Sequence, residues 1–105
     1  MIHSLWKDAV ITIATDDDLT AEVDLEKSYE TLIVLIPTLT SSDLTCYGSE
    51  TKGGTYYALG SSLTVAAGTG AYADIWNIGG FQHIKIGTSA GQAADRTFRV
   101  CGVRS

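Results

Sequence analysis

Residues Gly87 to Gly91 read "GTSAG", the G-x-S-x-G pattern of a serine-hydrolase nucleophile elbow. That device needs a strained strand-to-helix turn above a parallel sheet, and a histidine to take the serine proton. The two histidines, His3 and His83, both precede Ser89, whereas the elbow's histidine follows its serine. No alternating strand-helix pattern that would build a parallel sheet surrounds the motif. The stretch therefore reads as a hairpin loop between "HIKI" and "RTFRV", no catalytic residue is assigned, and the chain is not expected to be an enzyme. "GTGAY" (68–72) is too short for a dinucleotide fingerprint, and "GTSAGQAADR" lacks the Gly-Lys-Ser/Thr of a phosphate loop. No cofactor is expected.

Other residue types with chemical potential resolve in the same direction. Asp16-Asp17-Asp18 clusters hard carboxylate oxygens, as calcium prefers, but lacks the alternating ligands and distal bidentate Glu of a calcium loop. It reads as an acidic hairpin tip, and His83, beside Lys85 on an alternating strand, as a solvated or interface residue. No metal is expected. Cys46 and Cys101 are too far apart for a CxxC pair or a metal knuckle, and in a reducing compartment they are two free thiols. The aromatic set (Trp6, Tyr47, Tyr56, Tyr57, Tyr72, Trp76 and Phe81) suits a sugar-stacking platform or a group of core and interface anchors. Tyr56 and Tyr57 are adjacent, so alternation allows only one of them on any given face.

The elements that must position these residues are strands. Hydrophobic residues make up 45% of the 105 and charged residues 18%, a composition that folds as one domain. In "LTAEVDL" (19–25), Leu19, Ala21, Val23 and Leu25 alternate with Thr20, Glu22 and Asp24, which predicts a half-buried strand. "AVITIAT" (9–15) predicts its hairpin partner across Asp16–Asp18. "TLIVLI" (31–36) is apolar on both faces, which predicts an interior strand ended by Pro37. Further strands are predicted at 43–49, 55–59, 63–67, 71–76, 81–86 and 96–103, with a turn at Gly53-Gly54. Turn signals about every ten residues predict an all-β antiparallel sandwich of about eight or nine strands, jelly-roll-like. Residues 1–8 are expected as an N-terminal arm of that single domain.

The formal net charge of −5 comes without any basic cluster, which argues against a nucleic-acid partner. No apolar run approaches the ~20 residues that span a bilayer. "MIHSLWKDAVITIATDDD" lacks the features of a signal peptide, so synthesis and folding are expected in a cytoplasm.

Three segments, "TLIVLIP" (31–37), "DLTCYGSETKGGTYYAL" (43–59) and "FQHIKIGTSAGQAADRTFRV" (81–100), follow one another in an order that resembles small β-sandwich proteins encoded among the head genes of tailed bacteriophages. That group pairs a strand ending in Pro with an "LTF-x-x-S-x-DGG-T-F/Y-x-x-L" stretch, and closes with "Y/L-I-K-I-R-S-G-T" and "Q-x-A-D-R". The likeness covers most of residues 19–104 and departs at "IKIGTS", which lacks the Arg-Ser, and at Cys46, where an aromatic is usual. It implies a virion structural protein, specifically a capsid decoration or cement protein on the capsid surface. The partners it implies are the major capsid protein and further copies of the chain, as a closed oligomer with a trimer favoured. Trp6, Trp76, Arg96 and Arg99 are the candidate interface residues, Arg96 with Asp95 or another acidic neighbour as its partner. The alternative is a tail, neck or fibre-associated β-sandwich, or a carbohydrate-binding module using the aromatics.

Overall fold

The computed structural model describes residues 2–59 and 64–104, and every regular element in them is a strand. In chain order these are β1 (Ile2–His3), β2 (Lys7–Ile11), β3 (Val23–Asp24), β4 (Thr31–Ser49), β5 (Tyr57–Ala58), β6 (Thr64–Asn77), β7 (His83–Thr88) and β8 (Arg96–Arg104). All ladders are antiparallel and belong to one hydrogen-bonded sheet. The antiparallel all-β fold expected from alternation is present. Leu63 of the predicted strand 63–67 lies outside the described residues.

β4 is the spine, and it corrects the expectation that Pro37 ends a strand. The segments 31–36 and 43–49 are one strand of 19 residues that passes through the proline. β6 lies along one edge of both halves; the other edge takes β8 at Thr31–Leu35 and β7 at Leu44–Ser49. Pro37 falls in the gap between those two ladders, beside a register shift between Thr38 and Ser42. A bulge bends a strand and increases its twist, so the two halves of β4 can serve different neighbours. Gly70 makes the close approach there feasible. Its φ is +70°, and a side chain would collide with the Pro37 carbonyl oxygen.

The sheet rolls around its own apolar face. β2 pairs with the outer edge of β8, β3 pairs with β7, and the Ala21 N–H donates to the Val10 carbonyl at 2.9 Å. That bond joins the two ends of the path from β4 through β8 and β2, and from β4 through β7 and β3. Leu32, Val34, Ile36, Leu44 and Cys46 of β4 point into the roll with Ile11, Leu25, Ile84, Ile86, Phe98 and Val100. Each such side chain contributes about 1.5–3 kcal/mol by leaving water.

The start of the chain differs from its reading. Ile2–His3 of the expected arm lies on Val103–Arg104, and the Ser4 hydroxyl accepts the Gly102 N–H at 2.8 Å. The 9–15/19–25 hairpin is reduced to the single Ala21–Val10 backbone bond, and the ladder of β2 is with β8. Thr20, expected on the wet side, is buried, and its hydroxyl accepts the Ile86 N–H at 3.0 Å.

Candidate functional site

Ser89 has a backbone-fixing role: its Oγ accepts the Asp43 N–H at 2.8 Å, and its own N–H donates to the Asp43 carbonyl. His83 begins β7 six residues earlier, ~20 Å away at the rise of a strand. Beyond Ser89, Gln92 is buried and stitches its loop to the bulge of β4. Its Oε1 accepts the Thr40 N–H at 2.8 Å, and its Nε2 lies 3.1 Å from the Thr40 carbonyl and from Ser42 Oγ. Arg96 Nε donates to the same Oε1, and Arg96 Nη2 to Thr40 Oγ1. Asp95, expected as the partner of Arg96, accepts the Ile13 N–H. The "QAADR" stretch is thus a clamp on the irregular middle of the spine, and Arg96 belongs to it.

The carboxylates of Asp16, Asp17 and Asp18 lie within 4.8 Å of one another, all exposed. Hydrogen bonding to Asp16, with the repulsion of Asp16 and Asp17, raises the Asp18 pKa above the ordinary carboxylate range. Cys46 and Cys101 are free, buried thiols, and burial pushes the Cys46 thiol up to about 12.

The remaining candidates lead to the outward face of β6, β4 and β8. Directly opposed residues share a side of a sheet, and Leu32, Val34 and Ile36 point inward, so Thr31, Ile33 and Leu35 point outward. Register places Ile75, Ile33 and Cys101 in one row across the three strands. The next row is Ala73, Leu35 and Arg99, with Asp8 of β2 beyond. Ile75 is 68% exposed and Leu35 43%, while Cys101 is covered by Ser4, whose carbonyl lies 3.4 Å from Sγ. Leu5 and Trp6, also exposed, follow Ser4 in the link to β2. Arg99 Nη1 donates to Asp8 at 2.7 Å, which puts one exposed ion pair beside the apolar rows.

Of the four predicted interface residues, Trp6 and Arg99 stand on or beside this face. Trp76 is corrected: it is 2% exposed, its ring lies in the core, and Nε1 donates to Asp74 Oδ2 at 3.0 Å. Arg96 is held in the clamp. Leu35 and Ile75, the exposed large apolar residues of the two rows, are not among the residues expected from the sequence. Their signal was parity: once Trp76 points inward, Ile75 must point outward.

No protein-family model matches the chain, and no curated protein matches it. Among solved structures it is similar to the SPBc2 prophage-derived protein YomS, at 15% identity and a TM-score of 0.55, over 99% of each chain. It is also similar to part of a family 89 glycoside hydrolase from Clostridium perfringens, solved with PUGNAc and with 2-acetamido-1,2-dideoxynojirmycin. Those two likenesses have 15% identity and TM-scores of 0.50 and 0.51, and cover 95% of this chain but 14% of the enzyme. What these proteins share with the chain is a fold.

Proposed function

We propose that this chain is a structural protein of a tailed-bacteriophage particle, working as a capsid decoration protein. The observation that carries this reading is the end-to-end likeness of fold to a prophage-derived protein of the same extent. The open apolar face of β6, β4 and β8 supports it, since exposed Ile75, Leu35, Trp6 and Leu5 are chemistry for a neighbour. In this reading the face docks on the major capsid protein, and copies close into a small oligomer, a trimer. One oligomer spanning several shell subunits gains avidity through effective concentration, so opening a seam means breaking several contacts together. The expected location is the capsid surface.

The deciding measurement is the copy number of the chain in purified particles, by quantitative mass spectrometry against the major capsid protein. A ratio near one per capsid subunit, or a simple large fraction of it, is expected. A few copies per particle would move the protein to the neck, tail or fibre, and absence from the particle would overturn the virion reading.

A further inference from the structure

On the other half of the roll, the outward side of β3, β7 and the C-terminal half of β4 carries a different surface. Tyr47 stands opposite Lys85, and its ring lies across Gly87, where a Cβ would come within 2.8 Å of Cε1. The Lys85 ammonium lies 4.7 Å from the centre of the Tyr56 ring. The Tyr56 hydroxyl donates to the Glu22 carboxylate, which also accepts the Gly53 N–H at 2.7 Å. Both rings are therefore fixed before any ligand arrives, which lowers the ordering cost of binding.

These rings line a groove of about 220 Å³ with Asp18, Leu19 and Thr88. Leu19 also lines a second groove of about 240 Å³, together with Thr12, Thr15, Asp16 and Lys85. The two grooves on either side of Leu19 offer two aromatic surfaces, threonine hydroxyls and exposed carboxylates. The acidic run beside them repels anions, and among the described lining residues Lys85, set over the Tyr56 ring, is the one cation. An uncharged molecule with an apolar C–H face and several hydroxyl donors matches that lining, and this is the chemistry of a pyranose.

We infer that the cleft between Tyr47, Tyr56 and the Asp16–Asp18 loop is a binding site for neutral saccharides. A sugar ring stacks against the tyrosines, its hydroxyls donate to Asp18, and a second unit reaches past Leu19 toward Thr12 and Asp16. The site lies on a different part of the sheet from the Ile75–Leu35 face and does not depend on the virion reading.

The test is a titration of ¹⁵N-labelled protein with maltotriose, cellotriose and chitotriose in turn, with trigalacturonate as the anionic control. At least one neutral trimer is expected to shift the amides of Leu19, Thr88 and Tyr56 saturably, with a Kd of about 1 mM, and trigalacturonate is expected to bind more weakly. Tyr47→Leu, which keeps an apolar side chain over Gly87, should weaken binding about tenfold. Asp18→Asn, at an exposed position, should weaken it without touching the fold, which the same spectra report. Absence of shifts with all three neutral trimers overturns the inference. So do shifts confined to other surfaces, or binding unchanged in both folded variants. The copy number in particles is unaffected by any of these outcomes.

Discussion

A single carboxylate at Glu22 holds down the loop that follows β4. The Tyr56 hydroxyl, first, and the Gly53 N–H, second, bond its ionised form and pull its pKa below the ordinary glutamate value. A depressed folded-state pKa means that this stabilisation is complete above the unfolded value, roughly 4, and disappears as pH falls through the lower folded value. Loop 50–56 is therefore expected to loosen in acid before the core does. Amide exchange at Gly53 measured against pH checks this, and Tyr56→Phe should move the transition upward; a profile that does not change on acidification would refute it. The sequence showed Glu22 on a wet face, and that was right. It had no way to show a partner 34 residues away, because alternation specifies a side of a strand and not what a loop lays over it. Thr20 shows the opposite limit: its hydroxyl takes the place of a backbone rung, so a polar residue in a polar position of the pattern ended up buried.

At the scale of elements, the chain was legible wherever one face was dry. β7 and β8 came out within two residues of their expected spans, and Phe98 and Val100 point inward as alternation requires. Proline normally breaks a ladder, so the local pattern predicts two strands in place of β4, and nothing in that pattern shows that its edge changes partner at Pro37. The glycines of 68–70 likewise predict a break, yet Gly68, Gly70 and Ala71 only add positive-φ irregularities to the single strand β6. Among the described residues β6 pairs with β4 alone, so its far edge is open. Asp74 guards that edge: one carboxylate oxygen accepts the Ile75 N–H at 2.8 Å and the other accepts Trp76 Nε1. Asp74→Ala is expected to free the N–H beside an exposed isoleucine and promote strand-to-strand association. Loss of the indole bond should also lower stability by about 1 kcal/mol. Light scattering against concentration measures the first effect and thermal unfolding the second. A variant whose scattering matches that of the unchanged protein at every concentration would remove the guarding role.

For the molecule as a whole, the two outward surfaces differ in kind. One is apolar with the Asp8–Arg99 ion pair beside it, and the other carries two tyrosines, hydroxyls and carboxylates. Charge on the apolar face separates a contact role from a folding role. Ile75→Lys changes a side chain that is already mostly in water, so stability should stay within about 0.5 kcal/mol. On the decoration reading proposed above, binding to heads that lack the protein should nevertheless fall sharply, as read by co-sedimentation. Undiminished co-sedimentation would clear this face of the contact.

The first strands of the chain are held by its latest one. β1 and β2 take their ladders from β8, and the Ser4 hydroxyl is bonded to the Gly102 amide, 98 positions further on. During synthesis, Ala9 and Ile11 therefore emerge long before the strand that covers them. The topology makes completion of the fold an event that follows translation of β8, with a slow approach typical of distant pairings. A nascent chain cut short before Arg96 keeps its β2 apolar residues bare and is marked for chaperones or proteases. Only a copy that has reached β8 can give β1 and β2 their ladders.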